Sequence, residues 1–491
     1  MRRAACGLTL ALVTLLPVTA RAGGDWPMFR ANPANQASAV LVAGASPAAR
    51  AWTFDGGGRV FGFEPGMTVW SSPALGVAGG RAVLVAGSYD HNVYAVDAAS
   101  GERLWSYTTG DGVYSAPVLW NGPAGLVAFA ASSDRMLYAL DAASGRRLWI
   151  YAVADFRPTL GGARLSAPAV GTARGRAAVF FGHWVWDRSL AGNQQEGGVT
   201  ALDAESGAVL WKRLLGDNEL TAPIFVAGGH GGRGGTLYLG STDGSLAALD
   251  ADHGEVLWRR TELDAIRSAP AAATAMRPLR LLTASKAGLV RCLDAATGAE
   301  AWRYQVGDWV TGSPAVLRVR ERDLVVLGSY DRSLYALDVL DGSLVWRTFT
   351  RGGIHASPAV AATERGPVVL TSSWDHHLYA VDAKDGAILG KRYTGRPLWD
   401  TVGLENSNWS SPVAAVLNGV GMSYVGSYDG KLYALPLAEL LDGRGHFERS
   451  NLAFWLSFPI SLSLVTLVAL LLTWRHRRRG PPTASSAAAG A

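Results

Sequence analysis

The sequence predicts an all-β chain: an eight-bladed β-propeller of four-stranded antiparallel blades, closed by an N-terminal strand and followed by one C-terminal transmembrane helix. Three recurrences carry that expectation, often at a spacing of 44 residues. A proline preceded by small residues returns at Pro73, Pro117, Pro168, Pro223, Pro270, Pro314, Pro358 and Pro412. An Asp-x-x-x-Gly pair returns at Asp97/Gly101, Asp141/Gly145, Asp203/Gly207, Asp250/Gly254, Asp294/Gly298, Asp338/Gly342 and Asp382/Gly386. Four residues after six of those glycines stands a tryptophan: Trp105, Trp149, Trp211, Trp258, Trp302 and Trp346.

Taken in order, residues 1–22 combine a basic start (Arg2, Arg3), an apolar run and a small-residue A-x-A ending, the pattern of a cleaved export signal. Residues 23–51 form a lead-in segment. Residues 52–437 carry the repeats. One unit, SSPALGVAGGRAVLVAGSYDHNVYAVDAASGERLWSY, reads as four short runs with the alternation of half-buried strands and turn residues between them. The proline opens the first strand, where its missing N–H costs little. The Asp accepts bonds from its own turn and the Gly takes positive φ, which fixes the third hairpin.

A sheet apolar on both faces cannot bury them alone, so neighbouring units stack around an axis, with the outer-strand tryptophans wedged between blades. Each buried indole contributes at most roughly 4–6 kcal/mol. The eighth unit stops after its third strand. At the other end ARAWTFD (residues 49–55) resembles a fourth strand, with Trp52 matching Trp105, so the N-terminus is expected to complete the last blade and remove its edge. The seventh unit has Gly390 where the tryptophan belongs, and the sequence predicts that blade to be the softest.

The run SSWDHHLYAVD (residues 372–382) looks at first like a metal constellation. It aligns with GSYDHNVYAVD, ASSDRMLYALD, GSTDGSLAALD, GSYDRSLYALD and GSYDGKLYAL, which puts Asp375, His376 and His377 in a hairpin turn. At the position of His376 the other units place His91, Arg135, Gly244, Arg332 and Gly430, as a turn tolerates.

After a juxtamembrane linker, residues 438–451, comes an uncharged stretch at 452–474, long enough to cross a hydrocarbon core of about 30 Å. Arg475, Arg477, Arg478 and Arg479 open a tail (475–491) that the positive-inside rule keeps cytoplasmic, with the repeats on the periplasmic or extracellular side of the cell membrane. The three arginines of the export signal and the four of the tail account for the formal charge of +5; without them 38 basic residues face 40 acidic ones. That balance gives no electrostatic case for nucleic acid. Cys6 leaves with the signal and Cys292 remains alone, so no intrachain disulfide is expected despite export.

The unit G-S-x-D-x-x-L-Y-A-L-D-x-x-x-G-x-x-x-W resembles the pyrroloquinoline-quinone (PQQ) type of propeller repeat, and DWPMFRANPANQAS (residues 25–38) resembles that superfamily's lead-in. The resemblance covers residues 25–437 and implies the fold; it points to two branches for function. Quinone-dependent alcohol or sugar dehydrogenases carry adjacent cysteines beside the cofactor, Glu and Asn ligands to calcium and an Asp base. This chain has no Cys-Cys pair, and none of those positions is carried over. The barrel-assembly lipoprotein branch scaffolds partners and is held by an N-terminal lipid, a role the C-terminal helix takes here.

In a propeller the inter-blade loops and the loops joining second and third strands share one face. A ligand or partner site is expected at that mouth, among Trp70, Asp111, Tyr114, Arg164, Asn218, Glu219, Asp264, Arg267, Asp308, Trp309, His355, Glu405, Asn406, Asn408 and Trp409. The insertion HWVWDRSLAGNQQEGG (residues 183–198) adds Trp184 and Trp186 on a long loop at the same face, a feature of partner contact. No G-x-S-x-G elbow, H-E-x-x-H helix or phosphate loop occurs. No catalytic residue and no metal ligand is expected. The sequence reads as a non-catalytic scaffold for envelope proteins or peptides; the alternative is a PQQ-dependent dehydrogenase with a calcium-bound quinone at the mouth.

Overall fold

The computed structural model describes residues 32, 38–41, 50–55, 71–153, 162–187, 194–216, 218–228, 234–261, 263–394, 410–427 and 430–442. They form an eight-bladed propeller of antiparallel four-stranded sheets. Blade 1 runs through Ala74–Ala78, Arg81–Gly87, Asn92–Asp97 and Arg103–Thr108. Blades 2 to 7 repeat that meander, from Val118–Gly122 to Ile388–Tyr393. Blade 8 supplies Val413–Leu417, Val420–Gly426 and Lys431–Pro436 itself, and Trp52–Asp55 pairs antiparallel to the last of these as its fourth strand.

Two belts hold the blades together. On the outer belt each tryptophan donates its indole N–H to a backbone carbonyl at the third hairpin of the next blade, at 2.8–3.1 Å: Trp52 to Ala98, Trp105 to Ala142, Trp149 to Ala204, Trp211 to Ala251, Trp258 to Ala295, Trp302 to Val339 and Trp346 to Ala383. The glycine of that hairpin lies flat on the indole. A Cβ at Gly101 would stand 2.6 Å from Trp52, and one at Gly342 2.6 Å from Trp302. Positive φ and close approach therefore both require glycine there.

An inner belt of serines runs near the axis. Ala269 N–H donates to Ser313 Oγ, Ser313 to Ser357, Ser357 to Ser411, and Ser411 to Ser72 at 3.1 Å, which joins blade 8 to blade 1. The Ala98 carbonyl accepts a second bond at the same seam, from Tyr424 Oη at 2.9 Å.

Two features depart from the sequence expectation. The lead-in contributes a strand, Ser38–Leu41, paired parallel to the first strand of blade 8, Val413–Leu417, so that sheet has five strands. And the wedge position vacated at Gly390 is filled. The short helix Leu437–Leu441, which replaces an eighth outward hairpin, brings the Leu440 carbonyl to 1.7 Å from where a Cβ on Gly390 would be. Leu437 and Leu440 are buried in the core that joins blades 7, 8, 1 and 2. In blade 7 backbone thus packs where the other blades place an indole.

Among the described residues no helix is long and apolar enough to cross a membrane; the 452–474 stretch, the export signal and the basic tail lie outside them.

Candidate functional site

The rim of the mouth is built from the repeat's own turn. In blade 6, Asp331 Oδ1 accepts the Ser333 N–H at 3.0 Å, while Oδ2 accepts Gly307 N–H at 3.1 Å and the Tyr335 hydroxyl. The residue before that aspartate, or before Ala287 where blade 5 has no aspartate, ties its own N–H to the neighbouring inter-blade loop: Ser133 to the Gly112 carbonyl, Thr242 to Glu219, Lys286 to Ala265, Tyr330 to Trp309 and Trp374 to Gly353, at 2.8–3.0 Å. Turn and loop are thus pinned to each other by backbone. The variable x of G-S-x-D is left at the pinned rim as a position the repeat itself does not dictate.

The same architecture explains the run at 372–382. His376 sits at φ +65°, as His91, Arg135, Gly244, Arg332 and Gly430 sit at +69° to +81° in their turns. Burial opposes ionisation of Asp375, but hydrogen bonds from His377 and Tyr379 hold its carboxyl down to about 2. Asp375 and its neighbours serve the turn. Among the described residues no group of three or more His, Cys, Asp or Glu is placed to hold a metal.

Between blades 3 and 7 the rim encloses a groove of about 310 Å³, lined by Glu219, Leu220, Thr221, Thr242, Ile266, Arg267, Lys286, Trp309, Thr311, Tyr330 and His355. Four of the expected mouth residues meet here: Glu219, Arg267, Trp309 and His355. The Lys286 ammonium lies 4.2 Å from the Trp309 ring centroid. From Trp309 an aromatic arc continues to Tyr330 at 5.8 Å, and from Tyr330 to Trp374 at 4.7 Å edge to face and to His355 at 6.0 Å. Burial, then the charge of Arg267, push the His355 imidazole down to about 4, so it is neutral at physiological pH. Burial likewise raises Tyr330 above the usual phenol range.

Three acids at the rim make contacts of their own. Glu219 pairs with Arg164 at 3.2 Å. Asp308 Oδ1 accepts the Trp309 N–H at 2.7 Å, and Asp111 accepts Gly112 N–H at 2.7 Å with His91 3.8 Å away. Asp111 and Tyr114 belong to a separate cluster on the blade 1 to 2 side, where Tyr114 meets Tyr89 edge to face at 5.2 Å. Burial and the Tyr89 hydroxyl raise the Tyr114 phenol. Asp264 is exposed at the rim and Asn218 half-buried. Trp70, Glu405, Asn406, Asn408 and Trp409 lie outside the described residues.

Within 183–198 the described residues, 183–187 and 194–198, differ from the expected loop. They lengthen the second and third strands of blade 3 into a ribbon, Arg176–Asp187 against Gln194–Asp203, and Gly162–Leu165 adds to its edge with Arg164 opposite Trp184. The alternation of Trp184 and Trp186 is that of a strand, and the pairing partner comes from a segment with no periodicity of its own. Trp184 is half-buried. At the root of the ribbon His183 is 5% exposed, with Thr200 Oγ1 3.4 Å from its Nδ1. Burial and the charge of Lys212 push this imidazole down to about 4.

A pH dependence follows. The unfolded chain takes up a proton at His183 below about pH 6.5, whereas the folded chain does so only near 4. Stability is fully present above that window and falls as the pH drops through it. Denaturant titrations at pH 7.5 and pH 5 should differ by about 2 kcal/mol more for the native chain than for His183→Gln. An equal pH response would show that His183 is not the group responsible.

The residues that sequence reasoning missed are Thr242, Lys286, Tyr330 and Trp374. Each stands at the x of the repeat's G-S-x-D turn, which reads A-S-K-A in blade 5 and S-S-W-D in blade 7, and its variability inside an otherwise regular repeat was the available clue.

Comparison with solved structures returns propellers. Quinohemoprotein alcohol dehydrogenase from Comamonas testosteroni is 16% identical with a TM-score of 0.65, over 87% of this chain and 82% of that one. BamB from Moraxella catarrhalis is 18% identical with a TM-score of 0.51, over 79% and 96%. A europium-containing methanol dehydrogenase is 14% identical with a TM-score of 0.59, over 82% and 89%. These likenesses concern the fold. No curated protein matches the sequence. The family model described as outer membrane protein assembly factor BamB matches residues 50–224, 195–280 and 274–397, most of the repeats, and the chain belongs to that PQQ-like propeller family.

Proposed function

We propose that the protein is a membrane-tethered, extracytoplasmic propeller that binds envelope proteins or peptides at its mouth without turning them over. The observation that carries this reading is the groove: an aromatic arc beside Arg267 and Lys286, on a rim pinned by backbone hydrogen bonds. Rigid aromatic faces with adjacent cations are what recognition surfaces use. The family's description as an assembly factor supports the same reading. The 1–22 export signal, the uncharged 452–474 run and the arginines after it support the tether and its orientation.

A second reading, a quinone-dependent dehydrogenase, draws on one feature: two cations next to the Trp309 face would suit a flat ring bearing carboxylates. The calcium that such a quinone requires takes six to eight oxygen ligands. In the described groove the sole carboxylate is Glu219, already paired with Arg164, and Arg267 and Lys286 repel a cation. The described donor set does not fit the metal, and no catalytic step is derived through it.

One strain carrying a tag at Ala491 tests the proposal. Protease added to intact spheroplasts should destroy the propeller and spare the tag. Membrane proteins should co-purify with the tagged chain and be depleted when residues 188–193, which follow Asp187 and precede Gln194 in sequence, or the groove residue Trp309 are replaced. Purified protein given PQQ and calcium should not reduce dye with alcohols or sugars. Substrate-dependent dye reduction, or a protected propeller, would overturn the proposal.

A further inference from the structure

The groove is asymmetric in charge. On its blade 4 and 5 side stand Arg267, exposed, and Lys286, half-buried. Neither is within ion-pair distance of a carboxylate among the described residues, and Glu219, the one carboxylate in the groove lining, is paired with Arg164. Lys286 is held over the Trp309 ring, so its ammonium is presented at a fixed place. On the blade 6 and 7 side the described lining is Trp309, Thr311, Tyr330 and His355, with Trp374 packed edge to face on Tyr330. A ligand satisfying both halves carries a carboxylate and, within one or two residues, an aromatic or other apolar group.

The space of about 310 Å³ takes two or three side chains and is too small for a folded element. The wall offers one guanidinium fork, Arg267, and one ammonium, Lys286, for oxygen anions, and faces for stacking; an extended peptide can use both. We propose that this sector of the mouth is a receptor for an acidic-aromatic peptide segment of a protein partner, its carboxylate held by Arg267 and Lys286 and its ring laid against Trp309 and Tyr330. The proposal rests on the reading of the protein as a binding scaffold and names the chemistry of what is bound.

His355 adds a directional expectation. At neutral pH it is uncharged and presents a ring; near pH 4 it becomes a third cation beside Arg267. Selection for acidic peptide at pH 7 therefore depends on Arg267 and Lys286 alone.

The test uses detergent-solubilised full-length protein and a fluorescein-labelled heptapeptide with two aspartates flanked by phenylalanines, against the same peptide with asparagines. Anisotropy at pH 7 should show the aspartate peptide bound at least about tenfold tighter, a preference that shrinks as salt is raised. The double variant Arg267→Gln with Lys286→Gln should lose that preference. Arg146→Gln, in a hairpin on the opposite face, should keep it, and melting temperatures of all three should agree. Trp309→Leu should weaken both peptides alike. Equal binding of the two peptides, or a preference that survives the double variant, would overturn the proposal. If the double variant still captures the membrane partners of the tagged chain, the scaffold reading stands and this site is not the one they use. If native protein captures none yet prefers the acidic peptide, the peptide site stands and the scaffold reading falls.

Discussion

Trp52→Ala should lower the stability of the ring by about 3–5 kcal/mol, as other large-to-small core changes do. Trp52 is the one indole of the outer belt that lies on a strand far in sequence from its blade. It pairs with Lys431–Pro436 through Trp52↔Ala434, donates to the Ala98 carbonyl at 3.1 Å and covers Gly101. Its loss weakens the seam where the two ends of the propeller meet, at which Tyr424 to Ala98, Ser411 to Ser72 and Ser410 to Ser71 still tie blade 8 to blade 1. Chemical denaturation of Trp52→Ala beside Trp105→Ala, whose indole makes the equivalent bond to Ala142, is the measurement. Similar losses are expected. A harmless Trp52→Ala beside a severe Trp105→Ala would mean that the ring does not depend on its N-terminal strand.

Gly390→Trp should destabilise, by about 3 kcal/mol, although the repeat pattern alone makes it look like a repair. At the other seven sites of the pattern the tryptophan lies on a glycine of the next blade. Blade 8 has no such glycine hairpin; its third strand runs into Leu437–Leu441, and the Leu440 carbonyl occupies the space at Gly390. Any side chain there must push the helix off Ile388–Tyr393 or bend the strand. Thermal melts of Gly390→Ala and Gly390→Trp should both shift down, the larger residue further. A rise for Gly390→Trp would show that the helix does not fill the wedge.

Much of this was legible in the sequence because a propeller is a repeat. The Asp-x-x-x-Gly hairpins and the tryptophans after them are local chemistry: a carboxylate capping its own turn, a positive-φ glycine and an outer-strand indole recur at fixed offsets, and the match of Trp52 to Trp105 followed from the same offsets. What the repeat lacks could not be read that way. Ser38–Leu41 is four residues with no period, and becomes a strand only because Val413–Leu417 has an edge to pair. Gly162–Leu165 is a strand for the same reason, against the lengthened ribbon of blade 3.

The candidate site divides along the same line. The sequence by itself determined the eight units, the order of their strands and the face on which Glu219, Arg267, Trp309 and His355 lie, since those follow from spacing. Only the tertiary structure decided which of the mouth residues share one groove, that Lys286 and Tyr330 join them with Trp374 against Tyr330, that Arg164 pairs with Glu219, and that Leu440 fills the gap at Gly390. The physical reason is range. Turn chemistry and strand alternation act over a few residues, whereas ion pairing, ring stacking and the filling of a wedge join side chains that closure of the ring alone brings within reach.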